Sequence, residues 1–317
     1  MTNHTRILRS TVLGAAAAIA LLLLSATPAL AAHPAGKGNN SPSSHGGGSS
    51  TPTGNDISYP QCGGSFPSGQ AFGIVGVNGG LANNLNPCLG PYGSAGASSS
   101  ELYWAATTSS GAVNQQGGSQ PNAGLYVNTA DPGNTASDWP NAGAYVGDPY
   151  TDSTSTASYC DGGNTQACAW AYGDSKAVQD GQWLEAAAAA VNTASGSPTL
   201  PTSASAYPWW LDIQTANTWQ SGTGGQAMNI ADIQGMLAGL ESFGTMTYPI
   251  GIYSTSYQWG QIVGSPSATT FPTLPDWIPG ARKLSQAESN CSLTGFTGPV
   301  TVTQWFGHPF DGDYACS

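Results

Sequence analysis

The residues best suited to chemistry stand at the ends of short apolar runs. They are Asp56 in the first run, Asn78 in the second, Asn128 and then Asp131 at and after the third, and Asp212 with Gln214 in the fourth. Tyr253 ends the fifth, Trp277 lies in the sixth, Gln304 and Trp305 close the seventh, and Asp311 and Asp313 belong to the last. Carboxylates, amides and aromatic rings dominate this set. A carboxyl can supply a proton where burial raises its pKa, whereas an amide can only hydrogen-bond. Strand-end Asp residues also have a plainer use, capping loops by accepting from backbone N–H groups.

Other chemistries lack their parts. His308 is the sole His beyond residue 54, so neither a Ser-His-Asp triad nor a His-rich zinc site can be assembled. The Gly-rich stretch 76–80 has no Lys followed by Ser or Thr and reads as a turn rather than a phosphate loop. No metal and no cofactor is expected.

The elements that must position these residues are eight candidate strands bounded by Gly and Pro: 56–59, 72–78, 124–128, 209–214, 249–254, 276–281, 300–305 and 311–315. Helical patterns lie between several of them. Ile230, Ile233, Met236, Leu237, Leu240 and Phe243 recur at helical spacing, with Asn229 as the expected cap and Gly244 at the C-terminal end. A second helix is predicted over 175–191, where Trp183, Leu184, Ala187, Ala188 and Val191 share a face, and a third begins near Ser100 and includes Leu102 and Trp104. Strands alternating with helices imply a parallel sheet. Eight of them predict an α/β fold of the (β/α)8 TIM-like barrel type. It is partly degenerate in its helices, because 61–71 is loop-like and the residues between Trp305 and Asp311 are too few for one. In such barrels chemistry sits at the C-terminal strand ends.

The first 31 residues have the form of a secretory signal: Arg6 and Arg9, an apolar run over 11–24, and Ala29-Leu30-Ala31 as a small-residue cleavage pattern. Residues 32–54 are almost entirely Gly, Ser, Pro, Asn, Thr and Ala, with no Phe, Tyr, Trp or branched aliphatic side chain, which predicts a disordered linker. The remainder, 55–317, is read as one domain. In an exported chain six cysteines imply disulfides. Spacing suggests Cys62 with Cys88, Cys160 with Cys168 and Cys291 with Cys316, although other pairings are open.

Losing Arg6 and Arg9 with the signal leaves four of the 6 basic residues against all 17 acidic ones, a formal charge of about −13. Phosphate backbones need clustered Lys and Arg, so nucleic acid is excluded as a partner. No membrane contact is expected after signal removal, and a monomer is expected. With 7% charged residues, the surface must be built from Ser, Thr, Asn, Gln and Gly, which suits a neutral, hydroxyl-rich ligand.

Seven segments, taken in order, resemble the strand motifs of family 25 glycoside hydrolases, the muramidase-like enzymes. They are Asp56-Ile57-Ser58-Tyr59-Pro60-Gln61, the run ending in Asn78-Gly79-Gly80, Leu125-Tyr126-Val127-Asn128, Leu211-Asp212-Ile213-Gln214, Gly251-Ile252-Tyr253-Ser254, Val302-Thr303-Gln304-Trp305 and Phe310-Asp311-Gly312-Asp313. The resemblance spans about 56–314. It implies a ring of acids: Asp on the first strand, Asp-x-Glu on the fourth and Asp on the last. These positions fall on Asp56, Asp212, Gln214 and Asp313, with Asp311 as the alternative to the last.

The departure is at Gln214. The Glu of that motif implies a general acid, and an amide cannot hand over a proton. Glu101, Glu185 and Glu241 lie on or beside helical patterns and read as solvated faces; Glu288, in the loop after the sixth strand, and Asp131 are the replacement donors to be tested. Asn78, Asn128, Asp131, Tyr253, Gln304 and Trp305 are the expected substrate contacts. Trp305 and Trp219 are the rings read as facing a sugar, the other Trp residues being read as core. Two readings follow. In the first, carboxylates at the barrel mouth hydrolyse a cell-wall or related polysaccharide such as peptidoglycan, with Asp212 orienting an acetamido group or stabilising positive charge and Asp56 and Asp313 supporting it. In the second, the same cleft binds the glycan without catalysis.

Overall fold

Strand β1 (Thr53–Ile57) is followed by β2 (Phe72–Gly76), β3 (Ala123–Asn128), β4 (Trp209–Asp212), β5 (Gly251–Tyr253), β6 (Asp276–Ala281), β7 (Val300–Trp305) and β8 (Asp311–Ala315). In this computed structural model, which describes residues 53–107, 123–150, 160–197, 199–266 and 270–316, the eight strands close in sequence order into one barrel. β1 takes in Thr53 and Gly54, the last two positions read from sequence as linker; the signal segment and the rest of the linker lie outside the described residues.

The expectation of a wholly parallel sheet needs correcting. Neighbours from β1 to β7 pair in parallel, but β8 runs antiparallel to both β7 and β1. The cause is the connection. Residues 306–310 suffice for a hairpin, whereas a parallel crossover needs a dozen or so residues. The barrel is therefore a mixed α/β one. Its helices are α1 (Glu101–Thr107), α2 (Gln166–Ser195), α3 (Gly222–Glu241), α4 (Ser256–Ile262) and α5 (Leu284–Asn290), and only a single 3-10 turn, Tyr59–Gln61, stands between β1 and β2.

The helix expected over 175–191 is longer at both ends. The Thr165 side chain accepts from Cys168 N–H, and Gly196 closes the other end at φ 66°. Its added first turns bury Trp170 and Tyr172 and cross α3 backbone to backbone. A Cβ on Gly173 would stand 2.0 Å from the Asp232 carbonyl oxygen, and one on Gly235 equally close to that of Trp170, so only glycine allows this approach. Asn229 is not the cap of α3. The helix starts after Ser221, and the buried Asn229 amide instead joins the Gln220 and Ile262 carbonyls.

Two apolar layers hold the barrel. Outside the sheet, Ile57, Val75, Leu125, Leu211 and Ile252 pack with Leu184, Ile233 and Leu240 of the long helices. Inside it, Phe72, Ile74, Trp210, Trp277, Val302 and Ala315 fill the interior, with Tyr126 and Tyr253 against them. The disulfides are Cys62–Cys88, Cys160–Cys168 and Cys291–Cys316, the pairs suggested by spacing. No helix among the described residues is long and apolar enough to cross a membrane.

Candidate active site

Strand register and alternation bring the acids together. Successive side chains point to opposite faces, so in β1 Asp56 turns inward where Ile57 turns to the outer core. Asn128, Asp212, Tyr253 and Trp277 pair at one level across β3, β4, β5 and β6. On the closing side Asp56 stands opposite Asp311, with Asp313 opposite Gln304 and Gly54 one step deeper. Reversal of β8 is what makes this possible. Its first residue, not its last, reaches the end of the barrel where the parallel strands finish.

The result is a cavity of about 130 Å³ at that end, walled by Asp56, Asp212, Asp311, Gln214 and Gln304. Tyr126, Tyr253 and Trp277 complete it as an aromatic floor. Trp277 meets Tyr253 edge-on at 4.5 Å, Trp210 at 5.7 Å and Tyr126 at 6.3 Å between ring centres. Such contacts fix ring planes as well as burying area.

Hydrogen bonds order one half of the cavity. Tyr253 O–H donates to Gln304 Oε1 at 2.8 Å, and Gln304 Nε2 donates to Asp56 Oδ2 at 2.8 Å. That chain fixes which way the Gln304 amide points. Across the cavity, Asp212 is 4% exposed and its Oδ1 is buried with no hydrogen-bond partner. Asp311 accepts from Gly307 N–H and so also holds the β7–β8 hairpin.

Burial raises the pKa of every acid here. Asp56 is pushed up to about 7, first by desolvation and then by the Asp311 charge, with the Gln304 amide and Asp313 pulling the other way. Asp212 also reaches about 7, by desolvation and the Asp56 charge, partly offset by the Gln214 amide. Asp313, fully buried below the cavity, is held well above the ordinary range by desolvation, then by Asp56 and Asp311. Asp311 is raised by its own burial. The charges acting on this group are other carboxyls, so the pocket retains protons near neutrality.

Placement of the other predicted residues is mixed. Asn78 and Asn128 bond to each other, Asn128 Nδ2 and N both donating to Asn78 Oδ1 at 2.8 Å and Asn78 Nδ2 to the Asn128 carbonyl, beside the cavity rather than in its wall. Asp131 is buried elsewhere, both oxygens accepting from Gln220 Nε2 at 2.8 Å and one also from Gly133 N–H. Trp305 is a correction. One position beyond Gln304, it turns outward and lays its ring over Gly312, where an added Cβ would stand 2.0 Å away. Trp219 is partly buried against the outer core, its Nε1 donating to the Gln214 carbonyl. Glu288 is not in a loop but on α5, exposed.

Sequence reasoning missed Tyr126 as a wall residue and, having named Trp277 among the strand residues, read its ring as core. Tyr126 was within reach, since it alternates with Leu125 and Val127, whose apolar side chains belong to the outer core. Trp277 was not, because the β6–β7 register shifts on either side of it. Among the described residues no group of three or more His, Cys, Asp or Glu is placed to hold a metal ion.

The chain matches no family model and no curated protein. Among solved structures it is similar to a muramidase from Trichobolus zukalii, at 16% identity and a TM-score of 0.39, over 84% of this chain and 93% of that one. A likeness of that degree leaves the functional reading to the pocket itself.

Proposed function

We propose that the protein is an exported glycoside hydrolase-like protein that acts on a cell-wall or related polysaccharide at the barrel mouth. The observation that carries this is the convergence of Asp56, Asp212 and Asp311 with two glutamine amides over an aromatic floor. Hydrolysis of a glycoside requires one carboxyl that holds a proton near neutral pH and another that works as a carboxylate. Asp56 and Asp212, both raised to about 7, stand in the range where such division is effective. Amides and ring faces suit a neutral, hydroxyl-rich polymer better than a charged one. Export is supported by the signal-like first 31 residues and by three disulfides, which persist in oxidising compartments.

Gln214 favours a second reading, in which the same pocket binds glycan without cleaving it, because the amide lines the cavity where the sequence resemblance implies an acid. The two are separated by measuring release of reducing ends from peptidoglycan by the natural protein and by Gln214→Glu. Release by both supports hydrolysis. Release by the variant alone, with the natural protein still bound to the polymer, establishes the binding reading.

A further inference from the structure

Resting on the hydrolytic reading, we propose that Asp212 delivers the proton to the departing glycosidic oxygen, so that the amide at 214 marks a relocated donor rather than a lost one. The argument is by geometry and elimination. A donor must line the cavity, be shielded from water and keep an oxygen free to point at the substrate. Asp212 lines the cavity, is 4% exposed, and has Oδ1 without a hydrogen-bond partner. Asp56 lines the same cavity but is committed otherwise. Its Oδ2 accepts from Gln304, whose amide is turned that way by the Tyr253 hydroxyl, and Asp313 is a second side-chain partner, whereas Asp212 has Gln214 alone; each such partner stabilises the carboxylate form.

The remaining acids fail one requirement or another. Asp313 is buried beneath the cavity and reaches no ligand. Asp311 lines the cavity but is partly exposed rather than shielded from water, and its Oδ1 is held by Gly307 N–H in the hairpin. Asp131 spends both oxygens on Gln220, Glu288 is exposed on α5, and Glu101 bonds to Asn86 away from the cavity.

The step balances without any added reagent. The Asp212 O–H bond breaks and its proton goes to the glycosidic oxygen. The bond from that oxygen to the anomeric carbon then breaks, with the electron pair leaving on the oxygen. Water bonds to the anomeric carbon and gives its extra proton to the Asp56 carboxylate. One proton has moved from Asp212 to Asp56, and its return through cavity water restores the pocket. Asp56 from β1, Tyr126 from β3 and Tyr253 from β5 are the titratable groups facing Asp212, and all three feel its charge or act on it. Asp56, with Gln304 and Asp313 against it, is the better placed of the two to ionise, and Asp212, with Gln214 alone, to hold the proton.

The test compares two substrates in the full-length protein. Peptidoglycan has a sugar leaving group that needs the proton; a 2,4-dinitrophenyl N-acetylglucosaminide has one that does not. Asp212→Asn is expected to lose about 10²–10⁴-fold on peptidoglycan and about tenfold or less on the aryl glycoside. Equal loss on both, or no loss on either, overturns the assignment while leaving hydrolysis in place. A natural protein inert on both substrates overturns the hydrolytic reading and the assignment with it. Should the variant not fold, carboxyl ¹³C titration of the natural protein decides. A midpoint for Asp212 near neutrality is expected, and one near the ordinary 3.8 removes the donor.

Discussion

Asp212 and Asp276 are both buried aspartates on barrel strands, the one last in β4 and the other first in β6, and they are treated in opposite ways. Asp276 opens β6 at the end where the parallel strands begin. It accepts from Phe296, Thr297 and Gly298 N–H and from the Thr297 hydroxyl, which knits the loop before β7 onto the barrel. Asp212 closes β4 at the other end and keeps an oxygen without a partner. Both pKa values are raised by burial, but at Asp276 four donors pull back. A barrel uses one end for stability and the other for chemistry, and here the number of donors around a carboxyl tells which end it serves.

Removing Asp276 is the harshest way to test that contrast. Asp276→Ala strands three backbone N–H groups in a half-buried loop and leaves the Thr297 hydroxyl only the Leu274 carbonyl, an expected cost of about 3–5 kcal/mol in denaturant unfolding. Binding of the proposed glycan by whatever protein stays folded should not change. A loss under about 1 kcal/mol would mean water replaces the carboxylate and that the satisfied end is not the stabilising one.

Asp212→Asn should do the reverse and stabilise the fold. Its folded pKa of about 7 stands above the ordinary 3.8, so the folded chain holds more protons than the unfolded chain between those values. Stability contributed by this group is therefore full below the lower value and is lost as pH rises through the higher one. The neutral variant escapes that loss. Its unfolding free energy should match the natural protein near pH 4 and exceed it by about 1–3 kcal/mol near pH 8. A difference that does not grow with pH would show that Asp212 ionises freely.

Much of this architecture was legible from the chain, and the limits have physical causes. Eight short runs bounded by Gly and Pro located every strand to within a few residues, most plainly β2, where burial at every position imposes a continuous apolar stretch. The spacing between Trp305 and Asp311 ruled out a helix, yet strand direction did not follow until the hairpin was seen. Helices α4 and α5, each 7 residues, are too short for a periodic signal. Side-chain direction was the weakest inference. Asp56, Asp212, Gln214, Tyr253 and Gln304 were named from strand ends and do wall one cavity, but Trp305 points away from it and Trp277 into it. Alternation predicts direction only where register is regular, and the shifts around Trp277 are invisible in sequence.

The smallest effect sharpens the contrast inside the mouth itself. Tyr253→Phe removes one hydroxyl, which donates to Gln304 Oε1. Loss of a single neutral hydrogen bond costs about 1 kcal/mol of stability. The informative change is at Asp56. With its oxygen released, the Gln304 amide can rotate, and the N–H that now favours the Asp56 carboxylate is no longer held in place. Because that bond lowers the Asp56 pKa, the variant's carboxyl should titrate above the natural protein's value of about 7, while Asp276 at the start of β6 stays where it was. Carboxyl ¹³C titration of both residues reads the two ends in one experiment. An unmoved Asp56 would show that Gln304 is oriented by packing rather than by the tyrosine, and that donor supply at the mouth is set by the cavity wall as a whole.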